Sequence, residues 1–202
     1  LIIAMIIAIP AYLAESNVKY YYANEKVLPA SSDSNIAIKE IDKLFSNKNQ
    51  LALILPKGDK LKENQLAKEL EDIEGVGDVN GLYSMVDIAI PENFIPEDIK
   101  ENFQSENYSL ININLNLPME GDITKDSLNQ IKTKVSKYYN EWYLTGESAI
   151  YSDLQETTAK DFRNVSILSV VLISVIILIA FKSITIPIIL IFIIELGIWI
   201  NL

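Results

Sequence analysis

The chain has 202 residues, a formal net charge of -10 and neither cysteine nor histidine. Those two absences remove cysteine-rich zinc sites, cysteine nucleophiles and Ser-His-Asp chemistry together. Lys182 and Glu195 cancel, so the acidic excess sits on the middle of the chain, where it opposes nucleic acid and an anionic membrane surface as partners.

The first 14 residues open on an apolar stretch, Leu1–Leu13. A membrane-spanning helix needs about 20 apolar residues, so this stretch is expected to be the C-terminal part of a first transmembrane helix in a longer protein. A secretory signal peptide would carry a basic region ahead of the apolar one, and none is present. Residues 15–50 form a connecting segment. Tyr20, Tyr21 and Tyr22 suit either a membrane interface or packing against the next domain. Ser31–Ser34 offers helix caps, and Ile38, Ile41 and Phe45 recur at helical spacing, which predicts a short amphipathic helix.

Residues 51–146 read as one domain. Leu51–Leu55, closed by Pro56, is a buried strand. Leu66, Leu70 and Ile73 mark a helix from about Lys60 to Glu74, ended by Gly75. Val76–Tyr83 is a strand broken by two glycines. Within the long connection Ser84–Asn107, Pro96 with Glu97 and Asp98 starts a short helix. Ile111, Ile113, Leu115 and Leu117 alternate with Asn112, Asn114 and Asn116, the period of a strand with one apolar face. Leu128, Ile131, Val135 and Tyr138 predict a helix capped by Thr124. Trp142–Thr145 is a last short strand. Strand, helix, strand, strand, helix, strand is the βαββαβ order of an α+β ferredoxin-like domain.

Residues 147–164 are a helical linker, and two apolar runs follow. Residues 165–181 and 184–202 have the lengths of a second and a third transmembrane helix joined by a tight turn at Lys182 and Ser183. The single lysine of that turn favours the cytoplasm, which places residues 15–164 outside the cell membrane.

A domain of this order between a first and a second span resembles the porter architecture of the resistance–nodulation–division superfamily. Leu144-Thr145-Gly146-Glu147-Ser148-Ala149, then Asp153-Leu154, Asp161, Phe181-Lys182-Ser183 and Pro187 are similar to the MMPL-type branch. The resemblance implies a proton-driven bacterial exporter of lipids, lipid-like molecules or drugs. It implies a hydrophobic or amphiphilic substrate, a second half of the parent transporter as partner alongside the lipid bilayer, and proton-relay acids in later spans outside this sequence. No enzymatic activity and no cofactor is expected.

Glu195 lies inside the third apolar run, where an ionised carboxylate costs several kcal/mol unless paired or hydrated. It is a candidate proton or substrate site; the other reading is a structural acid paired with a neighbouring span, or one near the outer edge of the membrane. Asp153 and Asp161 precede the second span as candidates for coupling the domain to the membrane, or as plain solvated charges. Gly146 and Ala149 fit close packing where the last strand turns toward the membrane. The asparagine row suits a substrate cleft or a wet sheet face. Lys57-Gly58-Asp59-Lys60 lacks the signature of a phosphate loop. The acids of Glu63–Glu74 interleave with Lys62 and Lys68 as on a solvated face, so no metal is predicted. Two other classes compete with transport: a membrane-anchored ligand-binding sensor, and an envelope scaffold. A third apolar run arriving straight after the second argues against the sensor.

Overall fold

The computed structural model describes residues 6, 9–10, 13, 21–23, 28–45, 49–181 and 185–201. The turn at Lys182 and Ser183, Tyr20, the side chain of Phe45 and most of Leu1–Leu13 lie outside the described residues. The chain divides into two compact units, Tyr21–Leu154 and a second made of Leu1–Tyr20 with Gln155–Leu202.

In the first unit, helix α1 (Asp33–Phe45) starts where the Ser32 hydroxyl accepts from the Asn35 N–H. Its apolar repeat is only partly covered: Ile38 is half-buried, while Ile41 is 46% exposed. Strand β1 (Asn49–Pro56) buries every second residue, as a period of two requires of a strand with one face on the core. Helix α2 (Lys60–Glu71) is capped by Asp59, whose carboxylate accepts from the Leu61 and Lys62 N–H groups. It stops short of the expected Glu74. The chain needs the following residues to turn, and Gly75 takes a positive φ of 85° with Leu117 packed where a Cβ would sit.

Strand β2 (Val76–Asn80) is shorter than the predicted Val76–Tyr83, because Leu82–Met85 closes into a helical turn, α3. Leu82 and Tyr83 then bury with Ile95 in a small second core. A 3-10 turn at Glu92–Phe94 and helix α4 (Glu97–Phe103) complete this crossover. Strand β3 (Tyr108–Leu115) buries Ile111, Ile113 and Leu115, leaving Asn112 and Asn114 half-buried on the opposite face. Helix α5 (Asp122–Tyr138) corrects the cap assignment. Gly121 is the cap residue, and Thr124 lies inside the helix with its hydroxyl donating to the Pro118 carbonyl at 2.8 Å. The competing local acceptor in the preceding turn holds the threonine there. Strand β4 (Tyr143–Gly146) ends the sheet.

The four strands lie in the order β2-β3-β1-β4, and every neighbouring pair is antiparallel. β1 and β3 form the centre, in register from Asn49 opposite Leu115 to Pro56 opposite Tyr108. Leu51, Leu53, Leu55, Ile111, Ile113 and Leu115 leave one face of the sheet. They meet Leu66 and Leu70 of α2 and Leu128, Ile131 and Val135 of α5 in a single core. Each such side chain contributes roughly 1.5–3 kcal/mol on leaving water, so this layer holds the unit together.

Helix α6 (Glu147–Phe181) is continuous over 35 residues, so the expected linker and second span are one helix. Its stretch Glu147–Ala180 is the one helix among the described residues long and apolar enough to cross a membrane by length and composition. Protein buries none of its most apolar window. Helix α7 (Thr185–Asn201) is apolar but has 17 residues, about 25 Å of rise, and its most apolar part, Ile188–Ile198, which includes Glu195, is shorter still.

Candidate functional site

A buried polar joint forms where β1 begins, β3 has ended and α6 starts. Asn49 opens β1 and is 1% exposed, so its amide must be satisfied by protein. The Nδ2 group donates to the Leu117 and Pro118 carbonyls at 3.1 and 3.2 Å. The Ser148 hydroxyl, in the first turn of α6, lies 2.8 Å from Asn49 Oδ1 and 2.7 Å from the Met119 carbonyl. Its single hydrogen serves both acceptors.

Glu120, in the same turn, is buried at 4% exposure. Its carboxylate accepts from the Tyr22 N–H at 3.0 Å and the Ala23 N–H at 2.9 Å. Such charge-assisted bonds are about twice as strong as neutral ones. The segment arriving from the N-terminal apolar stretch and the start of α6 are therefore both fastened to the turn 117–120. Gly146 makes this possible. Its φ is 138°, and a Cβ there would meet the Gln50 carbonyl oxygen at 2.5 Å. Ala149 is buried against the core beside it, so the close packing expected of Gly146 and Ala149 is present.

The joint has the chemistry of an anchorage. Among the described residues it consists of acceptors and donors that hold chain segments in place. Sequence reasoning missed Asn49, Glu120 and Ser148 as a group, because they are brought together across almost the length of the domain and share no local spacing. Asparagine heading an apolar strand, at a position whose side chain must point inward, is the one signal that could have exposed it.

The predicted site residues fall into the two units. Asp153 belongs to the sheet unit, where its carboxylate lies 3.2 Å from the Lys132 ammonium of α5. Both side chains are substantially solvated, so this pair contributes at most about 1 kcal/mol. Asp161 is exposed on α6, and Glu195 is half-exposed on α7, both in the apolar unit. The Lys57–Lys60 turn points a carboxylate, Asp59, at the α2 N-terminus, the position where a phosphate loop would place its anion. A groove of about 360 Å³ lies beside α4, lined by Lys57, Glu97, Lys100, Glu101, Gln104, Ser105 and Glu106. That lining is charged, with the Lys100–Glu97 pair at 2.8 Å, and it does not suit an apolar ligand.

Residues 26–202 match the MMPL family. No match is found among curated proteins. The match spans most of the sheet unit together with α6 and α7, and the chain belongs to the MMPL family, a family of membrane transporters of the resistance–nodulation–division type and not of enzymes.

Proposed function

We propose that this MMPL-family chain is part of a proton-driven secondary transporter that exports hydrophobic or amphiphilic compounds, lipids or drugs, across the bacterial cytoplasmic membrane. The observation that carries the reading is the family match, which runs unbroken from the sheet unit through both apolar helices. The strand order β2-β3-β1-β4, with α2 and α5 on one face, supports a ferredoxin-like porter domain, which this reading places outside the cell. Transport proceeds by alternating access, with this domain moving against its counterpart from the second half of the protein.

Glu195 is assigned as a proton or substrate carboxyl, because an acid in an apolar span is retained only where it is paired, hydrated or used. Asp153 and Asp161 are assigned to coupling, one on the sheet unit and one further along the same helix α6.

The test is flux in vesicles containing the full-length protein under an imposed pH gradient. Export of an amphiphilic dye should rise with the gradient and vanish with a protonophore. Glu195→Gln should abolish the gradient-dependent part. Full export by that variant would remove the role of Glu195, and flux indifferent to the gradient would return the envelope-scaffold reading.

A further inference from the structure

Glu63 sits in the first turn of α2, yet its side chain points into the domain and is 4% exposed. Its Oε1 lies 3.6 Å from the place where a side chain on Gly81 would begin, above Ile111 of β3. Oε1 has no hydrogen-bond partner. Two more buried atoms nearby share that condition, Ser109 Oγ and Gln104 Oε1. Ser109 is 1% exposed. Gln104 and Ser109 are antiparallel bridge partners, so their side chains leave the same face with Cβ atoms about 5 Å apart.

The bookkeeping of hydrogens is decisive. With Glu63 ionised, Oε1 is a buried charged acceptor with no donor bonded to it among the described residues. An unpaired buried polar atom costs about 1–3 kcal/mol, and an unpaired buried charge costs more. Among the described residues no cation offsets the charge: the influences on Glu63 are burial, which raises its pKa above the ordinary carboxyl value, and the Ser109 hydroxyl, which opposes that more weakly. The titratable groups facing it are Tyr83 from α3 and Tyr139 from the end of α5, with Asp59 nearby. Both tyrosines are pushed up to about 12, first by burial, with the charge of Glu63 contributing, and so stay neutral. One added proton removes the charge and gives Glu63 a hydrogen to donate, with the Ser109 hydroxyl beside it. The Gln104 Nε2 group donates to the Tyr83 hydroxyl at 3.2 Å, and that hydroxyl donates to the exposed Glu92 at 2.6 Å.

We propose that Glu63 is a proton-binding site of the sheet domain, and that the bound proton seats α2 on β3. The sign follows from linkage. The folded state holds the proton above the ordinary carboxyl pKa of 4.5 and the unfolded state does not, so stability falls as pH rises from there to the raised value.

Infrared spectra of the full chain in detergent test this. As pH is raised past the ordinary carboxyl range, a protonated-carboxyl band is expected to persist that Glu63→Gln removes and Ser109→Ala moves to higher frequency. The unfolding midpoint should fall as pH rises above 4.5 in the wild type by a component that Glu63→Gln, which keeps a donor at this place, abolishes. Absence of the band in the wild type, or its persistence unchanged in both variants, overturns the proposal. So does a rise in midpoint on exchanging choline for sodium at pH 8 that Glu63→Gln abolishes, since the site would then hold a metal cation and not a proton.

Discussion

Gly146 carries more of the domain's geometry than any side chain around it. Its φ of 138° lies where L-residues rarely sit, and the Gln50 carbonyl and Leu51 backbone occupy the space a Cβ would take. Gly146→Ala is expected to cost on the order of 3 kcal/mol, from backbone strain plus the shift of β1. Gly58→Ala is the control, since nothing stands within 4 Å of its added Cβ. Denaturant unfolding followed through Trp142, which packs against the core, measures both. Equal midpoints for the two variants would contradict this account. At this scale the sequence is uneven to read. The run Leu144–Ala149 shows a strand breaking on a glycine, which is visible locally. Glu63 is invisible, because an acid among lysines on a helix has the pattern of a solvated face, and only the tertiary fold decides that this one points inward. Glu120 is hidden for the same reason: its partners, the N–H groups of Tyr22 and Ala23, are backbone atoms that any residue would supply.

The elements with a strong period are the ones the sequence foretells. In β3, three apolar residues alternate with asparagines, and the buried set is the apolar one. In α5, Leu128, Ile131 and Val135 repeat at helical spacing and are all buried. The boundaries that differ from expectation fall at β2, at the end of α2 and at the start of α5, where glycine or a turn acceptor competes with the helix or strand. The repeat in α1 shows the limit of periodicity. Ile41 fits the same pattern as Ile131, yet Ile41 is 46% exposed and Ile131 is 0% exposed. A pattern states which face is apolar, not whether anything in the unit covers it. Ile131→Ala should therefore destabilise by about 2–5 kcal/mol through the cavity it leaves. Ile41→Ala should change stability by about 0.5 kcal/mol or less. Thermal unfolding of the two variants side by side checks the difference, and a comparable loss at Ile41 would mean that α1 is packed more deeply than its exposure indicates.

On the scale of the whole molecule, α6 and the sheet unit present surfaces of opposite character. Leucine, isoleucine and valine side chains from Val165 to Ile179 are exposed along α6. In water that surface would be a severe liability, whereas in a bilayer it is the ordinary outer face of a spanning helix. The acidic sheet unit, by contrast, gathers apolar side chains into a main core and a smaller second one, and among its described acids only Glu63 and Glu120 are buried. The two compositions demand two solvents, and membership of a membrane transporter family agrees with that demand. The proposed topology then sets Lys182 on the cytoplasmic side and Asn129, exposed on α5, on the outside. Since the chain has no cysteine of its own, single substitutions Lys182→Cys and Asn129→Cys give clean reporters. In intact cells a membrane-impermeant maleimide should label Asn129→Cys and spare Lys182→Cys, with the second labelled only after the membrane is opened. Labelling of both from the outside would mean that α6 does not cross. Protection of both would put the sheet unit in the cytoplasm, and the export reading would then lose the exterior domain on which its mechanism depends.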